Sequence, residues 1–220
     1  MTRTPFSPKF TDLPAELPVF PLAGAVVMPG VQLPLNIFEP RYLRMVNDAL
    51  AADHLIGMVQ PVTETSADEE PEIHRVGCAG RITSYSETGD GRIVMVLTGV
   101  CRFAVLQELG RRRGYRRVRA DWDRFAGDYH EGESRLADKS TFFSSLKAYT
   151  SIHGVEIPWD EVKSLPDADL VNLLCAHLPL DPDDKQALIE TLDLKDRAQL
   201  MQGLMDMSSA SSVQTAERRH

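Results

Sequence analysis

The chain has 220 residues, a net charge of −8 and an apolar share of 43%. It is long enough to bury a real core and too acidic to favour nucleic acid or an anionic membrane as its main partner. No apolar run approaches the ~20 residues that span a bilayer. The N-terminus also lacks the apolar core of a secretory signal, so a cytoplasmic location is expected. Cys78, Cys101 and Cys175 lie far apart and form no C-x-x-C pair, which argues against a disulfide framework or a structural zinc site.

Residues 1–16 are polar and proline-containing, and are expected to be loose. From residue 17 the pattern reads as a short strand (18–22), an apolar loop, a second strand (31–37) and a helix. Pro18, Pro21, Pro29 and Pro34 have no N–H to give a ladder, so they must fall at edge, bulge or loop positions. Pro40 instead suits a first helical turn, where the missing donor costs nothing. Phe38, Tyr42, Val46 and Leu50 then recur every four residues, with Leu43 and Met45 beside them, as on the buried face of an amphipathic helix.

A strand at 55–59 is followed by an acidic segment, 63–72, too polar to bury anything and read as a solvated loop. Two strand runs, 73–87 and 92–98, are joined by Thr88-Gly-Asp-Gly, a strong hairpin signal. In the second, Ile93, Met95 and Leu97 share one face and Val94 and Val96 the other, so it is expected to be covered on both faces. A further strand, 100–109, follows a bend at Gly99, and a last one covers 115–125. About six strands, one helix and many turns predict an α+β chain that opens with a small closed or nearly closed β-barrel.

The character then changes. Residues 127–132 form a polar linker, and Leu136, Phe143, Leu146, Tyr149 and Thr150 make a helical stripe that stops at Gly154. A short helix opens near Pro158. Asp167 is expected to cap a helix carrying Leu170, Leu173, Leu174, Cys175 and Leu178. Asp181-Pro-Asp-Asp starts another helix, and Asp193 caps a last one over 194–207. The expected division is a flexible start (1–16), a barrel (17–125), a helical bundle (126–207) and a disordered tail (208–220).

Leu17-Pro-Val-Phe-Pro-Leu, Met28-Pro-Gly, Leu33-Pro-Leu and Phe38-Glu-Pro-Arg-Tyr closely resemble the start of the N-terminal domain of Lon proteases. The resemblance continues in Val76-Gly-Cys-Ala-Gly-Arg-Ile, in Gly99-Val-Cys-Arg-Phe and in the helical stretch from Leu178-Pro-Leu-Asp to Lys185-Gln-Ala-Leu-Ile-Glu. It implies a barrel similar to the RNA-binding PUA barrel followed by helices, and a role in recognising unfolded segments or degradation signals. No cofactor or metal is implied for this part of such proteins.

The residues themselves offer little catalytic chemistry. No G-x-x-x-x-G-K-[ST] occurs, and the Gly24 to Gly30 stretch leads into Val31 rather than a lysine, so there is no basis for cradling phosphate. Cys175 and His177 are two apart on a helix and point away from each other. His74 and Cys78 share a strand face about 13 Å apart, too far for proton transfer. The histidines show no metal-ligand spacing, and the chain is expected not to be an enzyme.

Two binding readings remain. In the first, Met28 and Pro29 at a loop tip, with Phe38, Arg41 and Tyr42 at the strand–helix junction, form an apolar surface for a polypeptide segment or a protein partner, such as a protease or chaperone system. The alternative interpretation folds that loop back as a lid on the barrel end. In the second, Arg112, Arg113, Tyr115 and Arg116 lie in a cluster running from Arg111 to Arg119, where arginine pairs phosphate and tyrosine stacks a base. The alternatives are a hairpin tip and solvated strand face, its arginines pairing Asp121, Asp123 or the acidic loop, and an acidic protein partner. A structural subunit of a larger complex is the third reading.

Overall fold

The architecture is built around one long strand. In the computed structural model, which describes residues 7–62, 71–130 and 135–217 (the last seven by backbone alone), the two runs expected at 92–98 and 100–109 fuse into a single strand, β5 (Ile93–Arg112). Around it stand β1 (Glu16–Pro21), β2 (Gln32–Ile37), β3 (Leu55–Val59), β4 (Val76–Glu87) and β6 (Tyr115–Asp121). The first half of β5 pairs with β2 on one side and β4 on the other, and its second half turns to pair with β6. The sheet order is β2-β5-β4-β3-β1-β6 with an added β5–β6 pairing, and only β1–β3 is parallel.

The six strands therefore do not make one closed barrel. The path β5-β4-β3-β1-β6 returns to β5, while β2 stays outside as an edge strand. Pro34 pairs with Val96 in that edge strand, where a missing donor weakens the ladder least and discourages a further strand from adding.

Gly99 explains how β5 stays continuous through its bend. The register between β4 and β5 shifts at Ala79/Gly80, where Gly80 pairs with Gly99 and Ala79 with Cys101. The loop 22–31 crosses directly over this point. Gly30 N donates to Gly99 O at 2.9 Å, and Gly99 N donates to Val31 O at 2.8 Å. A Cβ on Gly99 would stand 2.0 Å from Met28 O, so only glycine fits.

Helix α1 (Pro40–Leu50) starts on Pro40 as expected, but buries Tyr42, Met45, Val46 and Ala49. That is the i, i+3, i+4, i+7 pattern of an α-helical face. Phe38 precedes the helix and lies on the surface, so it is not part of the stripe, and Leu50 is only half-buried. The segment 63–72, read as a solvated loop, lies almost entirely outside the described residues.

The expected linker at 127–132 is also corrected in its described part. A 3-10 segment, Asp123–Tyr129, buries Phe125 and Asp128 against β5. It leads to α2 (Lys139–His153), α3 (Trp159–Ser164), α4 (Asp167–His177), α5 (Pro182–Glu190) and α6 (Leu194–Glu217). Asp138 caps α2, accepting from Thr141 N at 3.0 Å, and Gly154 ends it in the left-handed region (φ 65°). Asp167 does not cap α4. It is the helix's first residue, and its carboxylate accepts from Leu136 N at 2.9 Å and Lys139 Nζ at 2.7 Å. Asp193 does cap α6, accepting from Lys195 N at 2.7 Å. The backbone of α6 runs helically to Glu217, past the stop expected at 207 and into the segment expected to be a disordered tail. Buried apolar residues of sheet and helices form one continuous core, from Leu17 to Met205.

Candidate functional site

The loop 22–31 is held from both sides by buried polar side chains. Gln60, at the end of β3, accepts from Gly24 N at 3.0 Å and donates to Pro182 O at 2.9 Å and Gln186 Oε1 at 3.2 Å. Lys185 Nζ reaches Gly24 O at 3.0 Å and Ala176 O, in the last turn of α4, at 3.3 Å. Burial pushes the Lys185 ammonium below its ordinary value. Asn172 Nδ2 donates to Pro29 O at 3.2 Å, and Arg197 holds the Asn172 amide oxygen at 2.8 Å. Each of these bonds adds about 1 kcal/mol, and unmaking one inside the core costs more.

This clamp settles where Met28 lies. It is 0% exposed, pressed between sheet and helices, and not at an exposed loop tip. Pro29 is half-buried beside it. Tyr42 is also buried, its ring edge-on to Phe20 at 4.3 Å and covered by the Arg41 guanidinium at 4.6 Å. Arg41 is itself tied to Glu39 at 2.9 Å. Of the residues expected to meet a polypeptide, Phe38 stands out of the surface at 62% exposure, with the Arg92 guanidinium 5.9 Å from its ring.

Phe38 has apolar company on the outer face of the β2–β5–β4 ribbon. Val94, 46% exposed, lies between Asn36 on β2 and Ser86 on β4. The alternation of β2 and β5 puts Pro34 and Val96 in the next row of the same face. The sequence reading missed Val94, although 93–97 was legible as a strand apolar on both faces. On this face Pro34, Asn36 and Val94 are exposed and Val96 is half-buried.

The arginine cluster is spent largely on internal contacts. β5 and β6 join through Arg113 (φ 51°) and Gly114 (φ 96°), a two-residue turn with both residues left-handed. Arg113 meets Asp48 at 2.7 Å and Arg112 meets it at 3.5 Å, while the Tyr115 hydroxyl donates to the same carboxylate at 2.8 Å. Burial raises the Asp48 carboxyl, but these partners outweigh it and hold it below the usual range. Tyr115 is only 3% exposed, so its ring cannot stack on a base. Arg116 grips Glu108 through two bonds of 2.6 and 2.8 Å and donates to Pro71 O at 2.7 Å. That fork, first of all, holds the Glu108 carboxyl down.

One buried pair had no sequence signal beyond a single arginine in the apolar run Gly99-Val-Cys-Arg-Phe. Arg102 meets Asp128 at 2.6 Å with both side chains essentially out of water. Its remaining donors reach Ile189 O at 3.1 Å, Thr191 O at 2.5 Å and Leu192 O at 3.2 Å. It bolts the sheet to the α5–α6 connection. Burial pushes the Cys78 thiol far up, so it does not supply a thiolate, and Cys175 is buried as well. Among the described residues no cluster of His, Cys, Asp or Glu could hold a metal ion, and no helix is long and apolar enough to cross a membrane.

Residues 16–207 match the family described as the ATP-dependent protease La (LON) substrate-binding domain. The chain belongs to this Lon substrate-binding domain family. It is 28% identical over 202 residues to Lon protease 2 of Myxococcus xanthus, covering 89% of this chain and 24% of that protein. The Lon protease of Anaeromyxobacter dehalogenans is likewise 28% identical, with 89% and 23% covered. The chain thus spans about a quarter of these relatives. The fold is shared with a Lon N-terminal domain protein from Xanthomonas campestris (TM-score 0.60, 23% identity, covering 84% of this chain and 96% of that one). It is shared too with the N-terminal domain of a Mycobacterium avium complex Lon protease (TM-score 0.63, 16% identity, 87% and 98%).

Proposed function

We propose that this Lon-type domain recognises polypeptides without catalysing a reaction, and that it docks unfolded or partner segments on the outer face of the β2–β5–β4 ribbon. The observation that carries the reading is the exposed Phe38–Val94 pair on a domain of the substrate-binding family. An aromatic ring already standing in water gains most from being covered, and a neighbouring valine extends the patch. Pro29 and Arg41 belong to the half-buried surroundings, while Met28 and Tyr42 act from below by fixing the loop and the start of α1. We place the chain in a reducing cytoplasm, where the buried thiols of Cys78, Cys101 and Cys175 would persist.

The test is binding of a labelled unfolded polypeptide to the intact chain. Burying Phe38 fully is worth about 1–2 kcal/mol beyond its present state, so Phe38→Ala should weaken binding roughly tenfold. Because the contact is apolar, it should persist at high salt. Unchanged affinity in Phe38→Ala and Val94→Asp would overturn this docking face.

A further inference from the structure

On the helical half, α2 carries Lys139, Phe143 and Lys147 at four-residue spacing, hence along one face. With Ser140, Ser144 and Lys163 from α3 they line a recess of about 330 Å³, and among the described residues no Asp or Glu is part of that lining. This is unusual ground in a chain of net charge −8. Lys139 is already met by Asp167 at 2.7 Å, with its ammonium 5.9 Å from the Phe143 ring. Lys147 and Lys163 are exposed and make no ion pair among the described residues, and Lys147 stands 5.7 Å from the Trp159 ring. Carboxylates are present nearby but outside the recess: Asp160 and Glu161 lie on α3, and Glu156 lines the adjoining hollow with Trp159.

We propose that this recess holds a carboxylate-bearing stretch of a bound polypeptide, with an apolar side chain laid against Phe143. The inference rests on the polypeptide-binding reading above and adds a preference for acidic segments at a second place on the molecule. Charge complementarity names the occupant: two ammonium groups with no ion pair among the described residues, and a half-buried aromatic ring, in one hollow match an Asp or Glu beside an apolar residue. A long polyanion fits less well. The chain's overall negative charge repels it at a distance, and the recess offers lysine point charges rather than the arginine forks that grip phosphate in pairs.

The experiment uses the intact chain and three labelled unstructured peptides of equal apolar content, one acidic, one neutral and one basic. The acidic peptide should bind roughly tenfold tighter than the neutral one and should change Trp159 fluorescence, a signal absent in Trp159→Phe. Lys147→Gln/Lys163→Gln should erase that preference while leaving neutral-peptide binding and the urea midpoint unchanged. Raising salt, which shortens the Debye length from ~10 Å at 0.1 M to ~3 Å at 1 M, should do the same. Equal affinity for acidic and neutral peptides, or a preference that survives the double substitution, overturns the proposal while leaving the ribbon-face reading intact. Displacement of the acidic peptide by single-stranded RNA at matched charge also overturns it, in favour of a nucleic-acid site. Failure of all three peptides to bind removes the polypeptide-binding reading itself.

Discussion

Gly99→Ala puts the packing account to its hardest test. The added methyl would stand 2.0 Å from Met28 O, 2.6 Å from Met28 C and 3.2 Å from Pro29 N, all of them backbone atoms that no rotamer change can move aside. The loop must lift by more than 1 Å to reach ordinary contact. Doing so breaks the bonds from Gly30 N to Gly99 O (2.9 Å) and from Gly99 N to Val31 O (2.8 Å). Two such bonds are worth about 2 kcal/mol, and partial exposure of the wholly buried Met28 adds about 2–3 kcal/mol. Against this, alanine restricts the unfolded chain and returns about 0.4–1 kcal/mol. The net loss is about 3–4 kcal/mol, read as a drop in urea midpoint of roughly 1–4 M for ordinary slopes. Gly203→Ala is the internal control: it lies within α6 with nothing within 4 Å of a new Cβ, and should stabilise by about 0.5–1 kcal/mol. If Gly99→Ala unfolds within about 0.5 kcal/mol of the parent, the loop does not lie over β5 as described.

Other outcomes follow from the same structure. Arg102→Met strands the buried Asp128 carboxylate and should cost about 3–5 kcal/mol in urea unfolding; pairing it with Asp128→Leu should recover much of that loss. Asp48 is held below its usual pKa, so its contribution is present above the ordinary carboxylate value of about 3.9 and fades as pH falls through the lower folded value. The stability gap between the parent and Asp48→Asn should therefore be widest near neutrality and shrink in acid; a gap constant with pH would contradict the pairing with Tyr115 and Arg113. Met28→Asp should lower stability severely, because it buries a charge in the core, whereas Phe38→Asp should leave the urea midpoint nearly unchanged.

Much of the local structure was legible because single residues dictate it. Pro40 opens α1, Thr88-Gly-Asp-Gly turns the β4–β5 hairpin, Asp193 caps α6 and Gly154 ends α2. What escaped the sequence depends on partners far along the chain. Met28 looks like a loop-tip residue until Asn172 and Lys185, some 143 and 161 residues from their carbonyl partners, close over the loop. Phe38 shares the four-residue spacing of α1, but the helix begins at Pro40, so the spacing there has no helical meaning. Asp167 has the composition of a cap, yet its carboxylate serves α2 and the segment before it. The arginine run suggested a phosphate surface because its carboxylate partners, Asp48, Glu108 and Glu16, come from other elements or other parts of the same strand. Val94 shows the reverse failure: an apolar residue expected to be covered on both faces of its strand, and left in water on one.

The central claim is tested most directly by measuring an unfolded polypeptide and single-stranded RNA against the parent chain and Phe38→Asp, each at low and high salt. The account predicts polypeptide binding that persists at high salt and falls at least tenfold in Phe38→Asp, with the fold intact by urea midpoint. RNA binding that collapses with salt and disappears when Arg112, Arg113 and Arg116 become Glu, together with polypeptide binding indifferent to Phe38, would contradict it.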